Sequence, residues 1–210
     1  MKYKKLTVGP VQENTYIIFN NNQEAVVIDP GSEGNRIINT IESLNVKPLA
    51  ILLTHAHFDH IGAVDAVREK YKIPLYLHKK ESDWLTNTKK NGSNHFGQNI
   101  TANPASHLLS DNDRFLKIGN FSFEILLTPG HSPGSISYYL KNAGAVFSGD
   151  ALFAGSIGRT DLYGGNQEIL LKSIHHKLLN LPEETMVLSG HGPETTIAME
   201  MDSNPFLGGF

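Results

Sequence analysis

The sequence predicts an α/β protein in which β-sheets are flanked by helices. Short apolar runs bounded by turn residues recur in both halves of the chain, which is typical of strands. Segments whose apolar side chains repeat at helical spacing lie between several of these runs. Strands that alternate with helices in both halves indicate sheets with helices packed against them.

The first predicted elements are two strands and a helix. Residues 15–19 are rich in β-forming side chains and are followed by three asparagines at 20–22. The apolar run 25–28 is a second strand, which ends at the turn sequence Asp-Pro-Gly of residues 29–31. Residues 36–44 place isoleucine and leucine on one face, which predicts an amphipathic helix.

The next predicted elements surround a buried strand. The continuous apolar run 49–53 is expected to be covered on both faces of its sheet. Residues 59–71 show a helical pattern, and residues 75–77 are a further short strand. The stretch 81–113 is polar, so loops and one short helix are expected there.

The second half repeats the strand-rich pattern. Residues 121–127, 136–140 and 145–147 are predicted to be three strands separated by turns. Residues 167–179 have helical spacing, and residues 186–188 are the last predicted strand. Because no repeat, low-complexity tract or linker interrupts the chain, a single domain over all 210 residues is expected.

The composition excludes several classes of protein. Hydrophobic residues make up 40% and charged residues 19% of the chain, which is the profile of a globular protein. The net charge is -3 and no stripe of lysine and arginine is present, so nucleic-acid binding is not expected. No signal segment and no apolar run of roughly 20 residues is present, so a cytoplasmic protein without a membrane partner is expected. Since cysteine is absent, any metal must be held by nitrogen and oxygen ligands.

Side chains that can bind metals follow four of the predicted strands. A strand places its last residue accurately, and the glycines beside three of these side chains allow a tight turn. If the four strand ends meet at one rim, seven such side chains surround a single pocket. The predicted ligands are His55, His57, Asp59, His60, His131, Asp150 and His191.

The segment 55–60 is the strongest part of this prediction. Three histidines and an aspartate directly after a buried strand have no good packing explanation. Taken singly, His131, Asp150 and His191 are also explained as packed or turn residues, and their shared position at strand ends favours a ligand role. Zinc is the expected metal, and iron and manganese accept the same ligands. Two ions about 3.5–4 Å apart can hold a hydroxide and polarise a carbonyl or phosphoryl oxygen.

The segment Thr54-His55-Ala56-His57-Phe58-Asp59-His60 resembles the H-x-H-x-D-H motif of the metallo-β-lactamase superfamily. The later Gly-His, Gly-Asp and Gly-His pairs that end at residues 131, 150 and 191 follow in that family's order. The resemblance implies an αββα sandwich with the metals at one edge. It implies a first metal on His55, His57 and His131, a second on Asp59, His60 and His191, and Asp150 as the bridge. Asp29 matches an early motif and is expected to support the ligands, with a plain turn residue as the alternative.

Residues 152–162 and 190–196 resemble the glyoxalase II-like branch of this superfamily. That resemblance implies hydrolysis of a small-molecule thioester, with S-lactoylglutathione as the model substrate. It places a metal-bound hydroxide beside Asp59 and Asp150 as the attacking group. Full-length glyoxalase II enzymes hold glutathione through basic residues of a C-terminal extension. Here residues 194–210 contain no lysine or arginine, which leaves the identity of the thiol open.

Several alternatives stay open at this point. Arg159 is a candidate for binding a substrate carboxylate, and a structural salt bridge is the alternative. True β-lactamases of the superfamily commonly have cysteine at the position of Asp150, so a chain without cysteine is not expected to be of that type. A persulfide dioxygenase of the same superfamily would bind one iron through His55, His131 and Asp150. A metal-binding scaffold without activity is a further alternative, and the acyl group and oligomeric state are open.

Overall fold

The computed structural model describes residues 1–208. Two six-stranded mixed sheets pack face to face, and helices cover both outer faces. In the first sheet, neighbouring strands follow the order of the chain. These strands are β1 (Lys2–Val8), β2 (Glu13–Phe19), β3 (Glu24–Ile28), β4 (Lys47–Leu52), β5 (Leu75–His78) and β6 (His107–Leu109).

The second half of the chain forms the second sheet and a small hairpin. The strands here are β7 (Phe115–Ile118), β8 (Phe121–Leu127), β9 (Ile136–Leu140), β10 (Ala145–Gly149), β11 (Leu152–Phe153), β12 (Ser156–Ile157), β13 (Met186–Ser189) and β14 (Thr195–Thr196). The sheet has the order β14-β13-β10-β9-β8-β7, and β11 pairs with β12 alone. Because β8 and β10 are both antiparallel to β9, they run in the same direction, and β13 is parallel to β10.

The helices lie outside the two sheets. They are α1 (Gly34–Leu44), α2 (Phe58–Ile61), α3 (Val64–Tyr71), α4 (Gln167–Ser173) and α5 (Ile197–Ser203). Shorter turns are the 3₁₀ segments Lys79–Glu81, Ser93–Phe96 and Lys141–Ala143 and the π-helical turn Ile174–Leu178. Among residues 1–208, no helix has the length and apolar character needed to cross a membrane.

Alternation of side chains along the strands produces three hydrophobic layers. Val27 and Ile51 pack with the buried faces of α1 and α3, whereas Val26 and Leu52 belong to the core between the sheets. Successive side chains of a strand point to opposite faces, so both faces of these strands must be covered. The same alternation in β10 places Phe147 between the sheets, and the outer face of the second sheet packs on α4 and α5. The predicted αββα sandwich is confirmed.

The prediction of one continuous helix over residues 59–71 is wrong, because the structure has two helices there. The helix is broken after α2, and the backbone N–H of Ala63 donates to the Pro30 carbonyl at 2.9 Å. A Cβ at Gly62 would lie 2.4 Å from the Gly31 carbonyl oxygen, so only glycine allows this close approach. In the stretch 81–113, the predicted loops and a short helical turn are present, together with the short strand β6, which its sequence did not indicate.

The inter-sheet core sets a prediction for stability. Phe147 is 1% exposed and packs edge-to-face on Tyr16 at a centroid distance of 5.3 Å. Phe147→Ala should lower the free energy of unfolding by about 3–5 kcal/mol, as measured by urea denaturation. The matched control is Phe115→Ala, since Phe115 is 70% exposed and its loss should change stability by no more than about 0.5 kcal/mol. Equal losses in the two variants would contradict the assignment of Phe147 to the core.

Candidate metal centre

The segment between β4 and α2 brings four predicted ligands to one edge of the first sheet. His57 is the N-cap residue of α2, so Asp59 and His60 lie in the first turn of that helix. The three histidines are between 0% and 3% exposed. Histidines are rarely buried this completely unless their ring nitrogens have partners.

The second sheet contributes three predicted ligands to the same edge. His131 follows β8, Asp150 follows β10 and His191 follows β13, which all run in one direction. At Gly190, a Cβ would lie 2.2 Å from Asp150 Oδ1 and 2.8 Å from His60 Cε1. A side chain at position 190 would therefore displace two of the predicted ligands.

Six of the seven predicted ligands form two groups, and His55 and His60 also form a group with Asp29. In each group, one donor atom from every member lies within 4.8 Å of the others. The first group is His55, His57 and His131, and the second is Asp59, His60 and His191. Within the first group, His57 Nδ1 lies 2.8 Å from His131 Nε2, and within the second, His191 Nε2 lies 3.1 Å from Asp59 Oδ2.

The seventh predicted ligand, Asp150, lies between the two groups. Its Oδ2 atom is 3.6 Å from His131 Nε2 in the first group and 3.5 Å from His191 Nε2 in the second. Its Oδ1 atom is 3.4 Å from His60 Nε2. One carboxylate therefore faces both groups, as the resemblance implied for a bridging ligand.

Hydrogen bonds to Nδ1 of three imidazole rings, on the side away from the cluster, determine which ring nitrogen faces the cluster. Thr54 Oγ1 donates to Asp29 Oδ2 at 2.6 Å, so the nearby His55 Nδ1, at 3.0 Å, must donate to the hydroxyl. Asp29 Oδ2 also accepts from His60 Nδ1 at 3.0 Å. His131 Nδ1 donates to the Arg159 carbonyl at 2.8 Å. These bonds leave the Nε2 atoms of all three histidines to face the cluster, an arrangement common around bound metals.

Burial keeps the first group neutral. Burial, reinforced by the neighbouring imidazoles, lowers the pKa of His55 well below its usual value. Burial and the proximity of His131 lower the pKa of His57 to about 3. Burial also lowers the pKa of His131, although Asp150 opposes it. The neutral imidazole is the form that binds a metal ion.

In the second group, the neighbouring carboxylates outweigh the effect of burial on the pKa of His60. Burial alone would lower the pKa of His60, but Asp150, Asp59 and Asp29 raise it well above its usual value. Burial opposes ionisation of Asp150, yet His60 and other imidazoles bring the pKa of this carboxyl well below its usual range. The carboxylates around His60 thus favour a positive charge at this position, and they would stabilise a bound cation in the same way.

Several buried side-chain nitrogen and oxygen atoms of the cluster have no hydrogen-bond partner among the described residues. They are Nε2 of His55, His57 and His60 and Oδ1 of Asp150. Buried polar atoms are costly when unpaired, and native proteins contain few of them. Because these atoms all belong to predicted ligands, the cluster fits divalent metal ions that bind nitrogen and oxygen donors.

A cavity of about 340 Å³ opens onto the cluster. Five predicted ligands line it, together with a mainly apolar wall and a few polar groups. The apolar lining residues are Val11, Phe58, Phe96, Phe153, Ile157 and Leu162. Such a concave apolar site with a few converging polar groups is typical of small-molecule binding.

Arg159 also lines this cavity, but its guanidinium already has a partner. Its Nε and Nη2 atoms donate to the two carboxylate oxygens of Asp161 at 2.7 and 2.8 Å. The structural salt bridge that the sequence left open is therefore present. Among the described lining residues, Arg159 is the one lysine or arginine.

Two buried carboxylates near the cluster were missed from the sequence. Glu81 is fully buried and contacts the segments that carry His57 and His131. Glu13 is also fully buried, and its Oε1 atom lies 3.8 Å from His60 Nδ1. Neither residue lies in a recognisable motif, and only the tertiary structure shows that it is buried.

The family model of the metallo-beta-lactamase superfamily matches residues 8–191. The chain belongs to this superfamily. The protein of Bacillus subtilis strain 168 described as "Probable metallo-hydrolase YqgX" is 58% identical, over 100% of this chain and 99% of its own length. "Hydroxyacylglutathione hydrolase GloC" of Haemophilus influenzae is 36% identical, over 99% of this chain and 98% of its own. The chain is thus a member of a superfamily of metal-dependent hydrolases.

Two solved structures are similar over nearly the whole chain. BLEG-1, described as a B3 metallo-beta-lactamase, is 55% identical with a TM-score of 0.97, covering 99% of this chain and 100% of that one. TTHA1623, solved in a di-iron-bound form, is 40% identical with a TM-score of 0.86, covering 97% of this chain and 100% of that one. Absence of cysteine argues only against the cysteine-containing type.

The close approach at Gly190 sets a prediction for metal binding. Gly190→Ala should reduce the metal content of the purified protein to less than half of the wild-type value, since the added methyl displaces Asp150 and His60. Inductively coupled plasma mass spectrometry measures this content. Gly208→Ala is the control, because nothing lies within 4 Å of a Cβ there. Full metal content in Gly190→Ala would contradict the placement of Asp150 and His60 as ligands.

Proposed function

We propose that the protein hydrolyses small-molecule acyl thioesters at a two-metal site. The observation that supports this most directly is the pair of complete ligand groups around Asp150 at the base of an apolar cavity. The similarity to a hydroxyacylglutathione hydrolase over 99% of the chain supports a thioester as the substrate. S-lactoylglutathione is the natural test substrate.

The first group with Asp150 would hold one divalent ion, and the second group with Asp150 would hold the other. When bound, the metals supply Lewis-acid polarisation of the thioester carbonyl and acidify water for attack at neutral pH. Zinc is our proposal for the ion, because imidazole and carboxylate are among its usual ligands. The di-iron form of TTHA1623 makes iron the main alternative.

The chain itself binds the substrate and receives a proton. The apolar wall, which includes Phe58, Phe96 and Phe153, would pack on the acyl and thiol portions and exclude bulk water. Asp59 lies on the cavity surface, and its carboxylate would accept a proton from the attacking water. Oxygen from water adds to the thioester carbon, the carbon–sulfur bond breaks, and the thiolate leaves with its electron pair. The products are a carboxylate, a thiol and one proton.

A second candidate is β-lactam hydrolysis, which the similarity to BLEG-1 favours. It would use the same attack of water on a carbonyl carbon, with a carbon–nitrogen bond as the one that breaks. A persulfide dioxygenase is less well supported, because it would need only His55, His131 and Asp150. The complete second group of Asp59, His60 and His191 would then have no role.

The proposed function predicts metal-dependent turnover of S-lactoylglutathione. His57→Ala should lower kcat/KM by more than the roughly 10–100-fold expected for an outer residue of a metal site. His176→Ala is the matched control, since this histidine is exposed on the π-helical turn and should retain wild-type turnover. Dialysis against a chelator should abolish activity, and zinc or iron should restore it.

The same preparation separates the alternatives. Hydrolysis of nitrocefin without hydrolysis of any thioester would establish the β-lactam candidate and reject our proposal. One iron per chain, with oxygen consumed on a glutathione persulfide, would instead establish the dioxygenase.

A further inference from the structure

Glu81 is a fully buried carboxylate at the end of the 3₁₀ turn that follows β5. It accepts three hydrogen bonds. Oε2 accepts from the backbone N–H of Ala56 at 2.6 Å, and Oε1 accepts from Ser132 Oγ at 2.5 Å and from the backbone N–H of Gly134 at 2.7 Å. Among the described residues, no lysine or arginine forms an ion pair with it.

The three donors belong to the two segments that carry the first metal group. Ala56 lies between His55 and His57, and Ser132 directly follows His131. The segment with Ala56 continues from the first sheet, whereas the segment with Ser132 continues from the second. One carboxylate side chain therefore joins the two sheets at the point where the first group assembles.

The local packing suits this role. A Cβ at Gly134 would lie 3.0 Å from Glu81 Cγ, so glycine leaves room for the carboxylate. Ser132 Oγ also lies 2.7 Å from Ser135 Oγ, which connects Glu81 to the remainder of the same turn. Without an acceptor at position 81, two buried backbone N–H groups would lose their partner.

We propose that Glu81 is a positioning residue of the first metal site, which holds the loops of His55, His57 and His131 at the separation that metal binding needs. Both carboxylate oxygens are required, because each oxygen serves a different loop. Glutamine keeps the size of the side chain but presents an N–H₂ group to one of the two loops. The N–H groups of that loop would then face another hydrogen-bond donor and would have no acceptor.

A merely structural carboxylate is available for comparison. Glu200 is 2% exposed and likewise accepts three hydrogen bonds. Its donors are Thr195 Oγ1 at 2.6 Å, Asn204 Nδ2 at 2.7 Å and the backbone N–H of Gly155 at 2.9 Å. None of these three residues adjoins a predicted ligand. Glu200→Gln thus repeats the same chemical change without linking the loops of the first site.

The experiment is a cobalt titration of the metal-free full-length protein, followed by visible absorption. Two binding phases are expected, one for each group. The phase lost in His57→Ala belongs to the first group, and the phase lost in His191→Ala belongs to the second. Glu81→Gln should weaken the first phase by about 10–100-fold, the usual effect of removing an outer residue of a metal site. The second phase should change by less than about 3-fold, and Glu200→Gln should leave both phases unchanged. Equal weakening of both phases in Glu81→Gln, or of neither, would overturn the proposal.

Ser132→Ala provides a second test that removes one donor and keeps the carboxylate. It should weaken the first phase by roughly 2–10-fold, the effect of a single hydrogen bond. If Glu81→Gln does not fold, as judged by circular dichroism, this variant decides. Selective weakening of the first phase supports the positioning role, and unchanged cobalt binding overturns it. Two intact cobalt phases in the wild type but no thioester hydrolysis would reject the proposed function and leave the role of Glu81 standing.

Discussion

The position of Asp150 between two groups of ligands is the constraint on which the rest of the site depends. Its oxygens lie 3.4 to 3.6 Å from ring nitrogens of both groups. One buried carboxylate would thereby supply negative charge to an ion bound in either group, and it would set how close two such ions lie to each other. The backbone accommodates this through Gly149, whose φ is +51°, and through the absence of a side chain at Gly190.

The sandwich provides the rigid frame for this arrangement, because the ligands come from both sheets. The loop of His191 is joined to the first sheet by Tyr16, whose hydroxyl donates to the Ser189 carbonyl at 2.8 Å. Asn14 Nδ2 donates to the same carbonyl at 3.1 Å. Glu81 makes the corresponding link for the first group. Since the ligand groups exist only when the sheets are packed together, metal binding and folding should be thermodynamically coupled.

The sequence was sufficient to predict the sandwich and to name seven side chains that the structure brings together, but not the residues that surround them. Residues 55–60 were recognisable because their histidines are dense and follow a buried strand. Glu81 begins a polar stretch without periodicity, so nothing local separates it from a solvated residue. The edge strand β1 was missed because Leu6 and Val8 are its only buried residues. Short edge strands, and buried carboxylates that support the ligands, depend on partners distant in sequence. Local sequence patterns do not identify such partners.

The cavity is mainly apolar and Arg159 is paired with Asp161, so we propose that two adjacent bound ions are the main source of positive charge toward a substrate. X-ray absorption spectroscopy of the protein loaded with two equivalents of zinc tests it directly. Two ions that share Asp150 should give metal–metal scattering at about 3.5–4 Å, the usual separation in two-metal hydrolases. A spectrum with only nitrogen and oxygen neighbours, and no second metal within that range, would contradict a shared Asp150.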